Sequence, residues 1–269
     1  MLNLFKLGVG RGIRRGGGWR LMLLALLQLL SQDTKAGLAP TPFASGLADW
    51  QAKKYAAAAD FFAGELARQP SAEAWQNYGE ALWQSDRPGE AVLAWERARW
   101  MNPYETNAAA CLRWAESQGM FAPVPLTWTE SFSQWLPPRL WGWLAALSFW
   151  LAAGLVVLPR VFRWRRQGWR PLLASFAAGL LVVSVPALAG LHSRMSLGVI
   201  IGRETVLRQT PTATAQVLSR FTPGEMVRGE YVHGHYWFVR TANDSKGWVR
   251  QDEVAFIRDL PAFPKSTGP

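Results

Sequence analysis

Apolar positions follow three different rhythms along this chain, and each rhythm predicts a different kind of element. Across residues 38–120 they recur every three or four positions, the spacing of amphipathic helices. Trp75, Tyr78 and Leu82 make one such stripe, and Ala91, Trp95 and Ala98 make the next. Residues 140–159 and 171–193 contain no Lys, Arg, Asp or Glu at all. From 196 onward, short apolar runs are broken by Pro223-Gly224, His233-Gly234 and the polar stretch Asn243-Asp244-Ser245-Lys246. The segments 204–208, 215–220, 226–232, 236–241, 247–250 and 254–257 read as strands, and their even spacing predicts a small barrel.

The two uncharged stretches predict a pair of membrane-spanning helices at 139–159 and 171–193. About 20 apolar residues cross the ~30 Å of bilayer hydrocarbon. Arg160, Arg163, Arg165, Arg166 and Arg170 crowd the loop between them. Short loops rich in Lys and Arg stay on the cytoplasmic side. The N-terminus carries Lys6, Arg11, Arg14, Arg15 and Arg20 ahead of an apolar core at 21–30. Residues 1–37 therefore read as a secretory signal, or as an uncleaved anchor starting near Trp19. Either reading sends 38–138 and 196–269 outward. The 121–138 segment, rich in Pro and Trp, reads as an extended linker. Trp135, Trp141 and Trp143 fall at the outer membrane interface, and Trp164 and Trp169 at the inner one. Ser175 and Gly179 have the spacing of a close helix crossing.

Charge changes meaning under this organisation. The chain of 269 residues has a formal net charge of +10, which in a soluble protein suggests nucleic acid. The N-terminal cluster, the arginine loop and Arg139 hold eleven positive charges, more than that whole excess. No basic face with interleaved aromatics remains, which argues against nucleic-acid binding and leaves membrane lipid as the partner the charge implies.

Residues 72–103 resemble a tetratricopeptide (TPR) repeat. Trp75, Tyr78, Gly79, Leu82, Ala91, Trp95, Ala98 and Pro103 stand where that pattern places its large, small and turn residues. Gly79 would admit the second helix closely. Ser71 and Asp86 can cap the two helices, with Pro88 in the first turn of the second. Tyr55, Ala58, Phe62 and Pro70 repeat Pro88, Ala91, Trp95 and Pro103 at a spacing of 33. A helix at 105–118, with Ala108, Leu112 and Ala115, reads as a cap. Two repeats are fewer than a solenoid needs alone, so the unit is expected to lean on the cap, the membrane or another protein. The C-terminal strands resemble bacterial SH3-like domains through Pro211, Gly224, Tyr236-Trp237 and Gly247-Trp248-Val249. Trp237 and Trp248 then serve as core filler or groove shelf; the small size of the barrel favours the core for Trp248.

Catalytic signals do not accumulate. Cys111 is the sole cysteine, so no intramolecular disulfide forms, and no histidine shares its segment. His233 and His235 lack a third metal ligand nearby in sequence. The glycines between 8 and 18 fit neither the dinucleotide nor the phosphate-loop spacing. The expectation is a protein that is not an enzyme and carries no cofactor or metal.

Signal, TPR helices, arginine-looped hairpin and SH3-like barrel, in that order, resemble the BatE-type proteins of the Bacteroides aerotolerance operon group. Trp75, Gly79, Ala91, Pro103, Gly247 and Trp248 carry the resemblance. It implies a multidomain membrane protein with an all-α repeat domain, a transmembrane hairpin, a small all-β barrel (196–258) and a tail (259–269). It implies a scaffold in the inner membrane whose periplasmic TPR repeats bind envelope proteins, von Willebrand A-type Bat membrane proteins among them, beside a MoxR-like ATPase. The alternative is a cell-wall sensor whose SH3-like barrel binds peptidoglycan or its stem peptides. The charge clusters predict that tags after Ala122 and after Pro264 are cut by protease added outside the inner membrane, and that a tag within 160–170 is not. Protection of the C-terminal tag would overturn this topology.

Overall fold

The computed structural model describes residues 42–119, 123–161 and 168–258. The expected signal or anchor (1–37), Arg163, Arg165 and Arg166 with Trp164, the side chains of Arg160, Trp169 and Arg170, and the tail at 259–269 lie outside the described residues.

Five helices open the described chain: α1 (Pro42–Gln51), α2 (Tyr55–Arg68), α3 (Ala72–Gln84), α4 (Pro88–Met101) and α5 (Thr106–Ser117), each packed on the next. Helix α3 starts where the Ser71 hydroxyl accepts the Ala74 amide at 3.0 Å, which satisfies one of the orphan donors of a helix start. Helix α4 starts on Pro88, whose missing N–H costs nothing there. Asp86 does not cap α4. The tight α3–α4 turn puts it in the left-handed region at φ 58°, which Asp tolerates better than most residues. Its carboxylate meets Arg203 at 2.9 Å instead, tying this turn to the loop after the first strand.

The segment expected to be an extended linker contains a short helix, α6 (Trp128–Ser133). Two long helices follow, α7 (Pro138–Val161) and α8 (Trp169–Arg194). Their stretches Pro138–Val157 and Pro171–Arg194 are long and apolar enough to cross a membrane. They pack against each other. On α8 the buried side chains include Ala177, Ser184, Ala187 and Leu191, a seven-residue rhythm typical of paired helices. Ser175 and Gly179 are exposed, and a methyl group on Gly179 would touch nothing within 4 Å. The expected small-residue crossing is therefore replaced by this neighbouring stripe. Trp141 is also relocated. It is 3 % exposed and donates its indole N–H to the Ser133 carbonyl at 3.1 Å, so it is packed inside the protein. Trp135 and Trp143 are largely exposed.

Seven strands form one antiparallel sheet: β1 (Leu197–Ile200), β2 (Val206–Arg208), β3 (Val217–Arg220), β4 (Met226–His233), β5 (Tyr236–Thr241), β6 (Lys246–Arg250) and β7 (Val254–Phe256). Their order is β3-β2-β6-β5-β4-β1-β7. Six strands fall in the expected segments. β1 does not. Its four residues are all buried, so it lacks the in-out alternation that marks a half-exposed strand.

That strand joins the two halves. Leu197, Val199, Met226 and Ile257 belong to the same apolar cluster as Trp75, Val92, Leu93 and Trp95. A second cluster fills the sheet, with Ile200, Leu207, Val227, Val239 and Val249 at its centre. Helix α4 lies between α3, α5 and the sheet and is buried nearly all round, from Gly89 and Ala91 through Ala98. Gly89 makes the closest approach. A Cβ there would lie 2.5 Å from the Ile200 carbonyl oxygen and 2.9 Å from the Ile201 Cα.

Gly89→Val should therefore wedge α4 away from the sheet. Overpacking of this kind costs ~1–3 kcal/mol. Gly64→Ala, on α2 where nothing lies within 4 Å, should stabilise by ~0.5–1 kcal/mol. Thermal melts of the detergent-solubilised chain check both; a Gly89→Val melt that matches the parent would remove the close contact.

Candidate functional site

The described polar residues converge where α6, α8 and β4 meet. Glu130 sits in the first turn of α6, with its side chain fully buried. Thr127 and Glu130 form a capping box: the Thr127 hydroxyl accepts the Glu130 amide at 3.4 Å, and the Glu130 carboxylate accepts the Thr127 amide at 2.8 Å. The remaining acceptor positions are filled from the other two elements. Arg228 of β4 donates to both carboxylate oxygens, at 2.6 and 3.2 Å. The Ser193 hydroxyl of α8 donates at 2.5 Å. Burial alone would raise the carboxyl pKa, but hydrogen bonds from Arg228, Ser193 and the Thr127 amide bring it down to about 2. Next to this ion pair, Arg194 donates to the Ser133 hydroxyl at 3.4 Å and lies 4.8 Å over the Trp100 ring of α4. Gly190 permits the contact, because a Cβ there would overlap the Thr129 carbonyl. The cluster locks the end of α8 to the sheet and the helices.

Arg97 of α4 performs the same service on the other side of the seam. Its side chain donates to the Ile257 and Phe256 carbonyls at 3.2 and 2.9 Å and lies 4.9 Å over Trp75. Two cavities flank it, of about 280 and 340 Å³. The smaller lies between Tyr78, Leu93 and Ala94 of the helices and Ile201, Val254 and Ala255 of the sheet.

The residues singled out by the repeat pattern lie in and around α3 and α4. Trp75, Leu82, Ala91, Trp95 and Ala98 are buried; Tyr78 and Pro103 are half-buried. Gly79 lies against the Trp95 ring, 2.6 Å from where its Cβ would be. Trp75 and Tyr78 turn towards the sheet rather than to open solvent, so part of the surface expected to receive a partner is covered by this chain itself. Cys111 is half-buried on α5, and burial together with the Glu80 carboxylate pushes its thiol pKa up.

The strand residues divide between the two faces of the sheet. Trp237 packs on Phe256 at 4.4 Å, on the inner side. Gly247 is forced by a close approach, since its Cβ would lie 2.7 Å from the Arg208 carbonyl oxygen. Tyr236 is half-buried opposite Arg250. Trp248 is not a core residue. It is half-buried on the outer face, in cross-strand register with Phe238, which in turn pairs with Tyr231. The Tyr231 and Phe238 rings stack at 4.9 Å, and Trp248 meets Phe238 at 5.1 Å and Tyr231 at 5.5 Å. His233 closes the row at 6.1 Å from Trp248. The inner volume expected of Trp248 is supplied by Leu207, Val239 and Val249 together with Ile200 of β1. The row is rimmed by Arg240, which bonds Glu230 at 2.9 Å.

Among the described residues, no group of three or more His, Cys, Asp or Glu side chains is placed to hold a metal ion. Comparison with protein-family models, with curated proteins and with solved structures finds no match for this chain. The sequence pattern overlooked the Glu130 cluster, although Thr127-x-x-Glu130 spells a capping box. Arg228 and Ser193 carry no local signal, because they are distant in sequence and meet only in the fold.

Removing one partner of a buried ion pair costs ~3–5 kcal/mol, because the other charge is stranded. Glu130→Ala should reach that range, and Glu130→Gln, which retains the hydrogen-bonding shape, should cost less. The Glu130 pKa is lower in the folded chain than its ordinary value of 4.5. Its contribution should therefore be complete above that ordinary value and disappear as pH falls towards 2. Denaturant melts across pH 2–6 check this; in Glu130→Gln that share of the acid sensitivity should vanish.

Proposed function

We propose that this chain is a non-enzymatic adaptor of the bacterial inner membrane, with its helical unit and sheet on the periplasmic side. The single observation behind the reading is the apolar core shared by helices and sheet, joined to two helices able to cross a membrane. Such a body presents fixed surfaces to a partner. The helices α1–α4 are read as TPR-like repeats, with α5 as their cap, and the strands as an SH3-like barrel. With α4 covered by the sheet, the repeat surface open to an envelope partner is the one bearing Trp114, which is 49 % exposed and packed on Trp83 at 5.1 Å. Exposed aromatics of this kind anchor protein interfaces. The partners proposed are von Willebrand A-type membrane proteins of a Bat/MoxR-type complex, in aerotolerance or envelope stress.

The test is a photocrosslinker placed at position 114 of the full chain in membranes. An adduct with such a membrane protein, missing when the crosslinker sits at the exposed Thr212, supports the adaptor. The same unspecific adducts from both positions would sink it.

A second reading has its own observation, the outer row of Tyr231, Phe238 and Trp248. Aromatic faces in register suit the apolar faces of sugar rings or stem peptides, so the sheet could bind peptidoglycan. Trp248→Ala should then leave the chain folded and reduce its sedimentation with purified murein. Unchanged sedimentation in the folded variant would exclude the row as the wall contact.

A further inference from the structure

The larger cavity beside Arg97 has a wall chemistry that the adaptor reading does not use. It encloses about 340 Å³. Trp100, Met101 and Ile257 form its apolar side, and Arg97, Arg139 and Arg258 are the charged residues among its described lining. Arg139 and Arg258 are exposed. Arg97 is 5 % exposed and held by the two carbonyls named above. Its place along the chain is equally informative. Pro138 and Arg139, which line it, open the apolar stretch of α7. The exposed Trp135 and Trp143 bracket the same level, and indole prefers the headgroup region of a bilayer.

We infer that this cavity holds the phosphate of an anionic phospholipid from the periplasmic leaflet, with the first part of its acyl chain against Trp100, Met101 and Ile257. The inference rests on the reading of α7 and α8 as membrane-spanning. Guanidinium groups match phosphate oxygens through paired N–H donors. The volume lies at the lower end of small-molecule sites, about 300–1,000 Å³. It suits a headgroup and its nearest methylenes, with the rest of each chain remaining in the bilayer. A soluble phosphate would use the arginines and leave the apolar wall empty; a zwitterionic lipid would bring its own cation into an arginine cluster.

The test uses the full chain in detergent, with phosphatidylglycerol or phosphatidylcholine added and bound lipid counted by native mass spectrometry. Phosphatidylglycerol should be retained in preference. Arg139→Gln with Arg258→Gln should weaken that retention about thirtyfold, given the usual attraction of each arginine to anionic lipid. Arg220→Gln, an exposed arginine of β3, should leave it unchanged. Both altered residues are exposed, and an unchanged melting temperature verifies that the double variant is folded. Equal retention of the two lipids, a double variant that holds phosphatidylglycerol as the parent does, or displacement by free glycerol phosphate would each overturn the inference. Carbonate extraction of membranes separates the two failures. A chain released by carbonate refutes the membrane reading itself. A chain that resists carbonate yet shows no preference for phosphatidylglycerol refutes only the cavity.

Discussion

Helix α4 has no free side, and the rest of the structure is arranged around that constraint. Trp95 and Ala98 pack among the helices, while the same cluster continues into Leu197, Val199, Met226 and Ile257 of the sheet segment. Fully burying a Val, Leu, Ile or Met side chain is worth ~1.5–3 kcal/mol. Four such residues approach the whole net stability of an ordinary domain, ~5–15 kcal/mol. Neither the helices nor the sheet can give up this contact and remain as stable. The helical unit and the C-terminal sheet of the same chain complete one another's core.

The Glu130–Arg228 pair adds something different. A buried ion pair gives little net stability, because desolvation of both charges offsets their attraction. Its value lies in what it forbids. Four hydrogen bonds onto one carboxylate come from Thr127, Ser193 and Arg228. Any other docking of α6, α8 and β4 strands a charge in a dry place. Burial fixes that these elements associate; the ion pair fixes how.

Much of the fold was legible because it is written in local periodicity. The two long apolar helices, the stripes of α3 and α4, and six of the seven strands all follow patterns within a short window of sequence. What was not legible depends on distant contacts. β1 lacks alternation because α4 covers one face and the sheet interior the other. Trp248 was assigned to the core on volume alone, but the place it would fill was already taken by β1, the missed strand. Trp141, which reads as a lipid anchor, is buried by α6, itself hidden in what reads as an extended linker. The errors share one source: each followed from treating the segments as separate modules.

Only Met195 and Ser196 separate the last residue of α8 from the first of β1. Two residues leave no slack, and the Ser193 and Arg194 bonds remove what freedom they would give. The usual picture of a membrane anchor is a tether, on which an outer domain turns freely. Helix α8, long and apolar enough to cross a membrane, is closer to an axle keyed to its wheel: whatever tilt or rotation α8 takes up, the sheet turns with it, and the helices riding on the sheet turn as well.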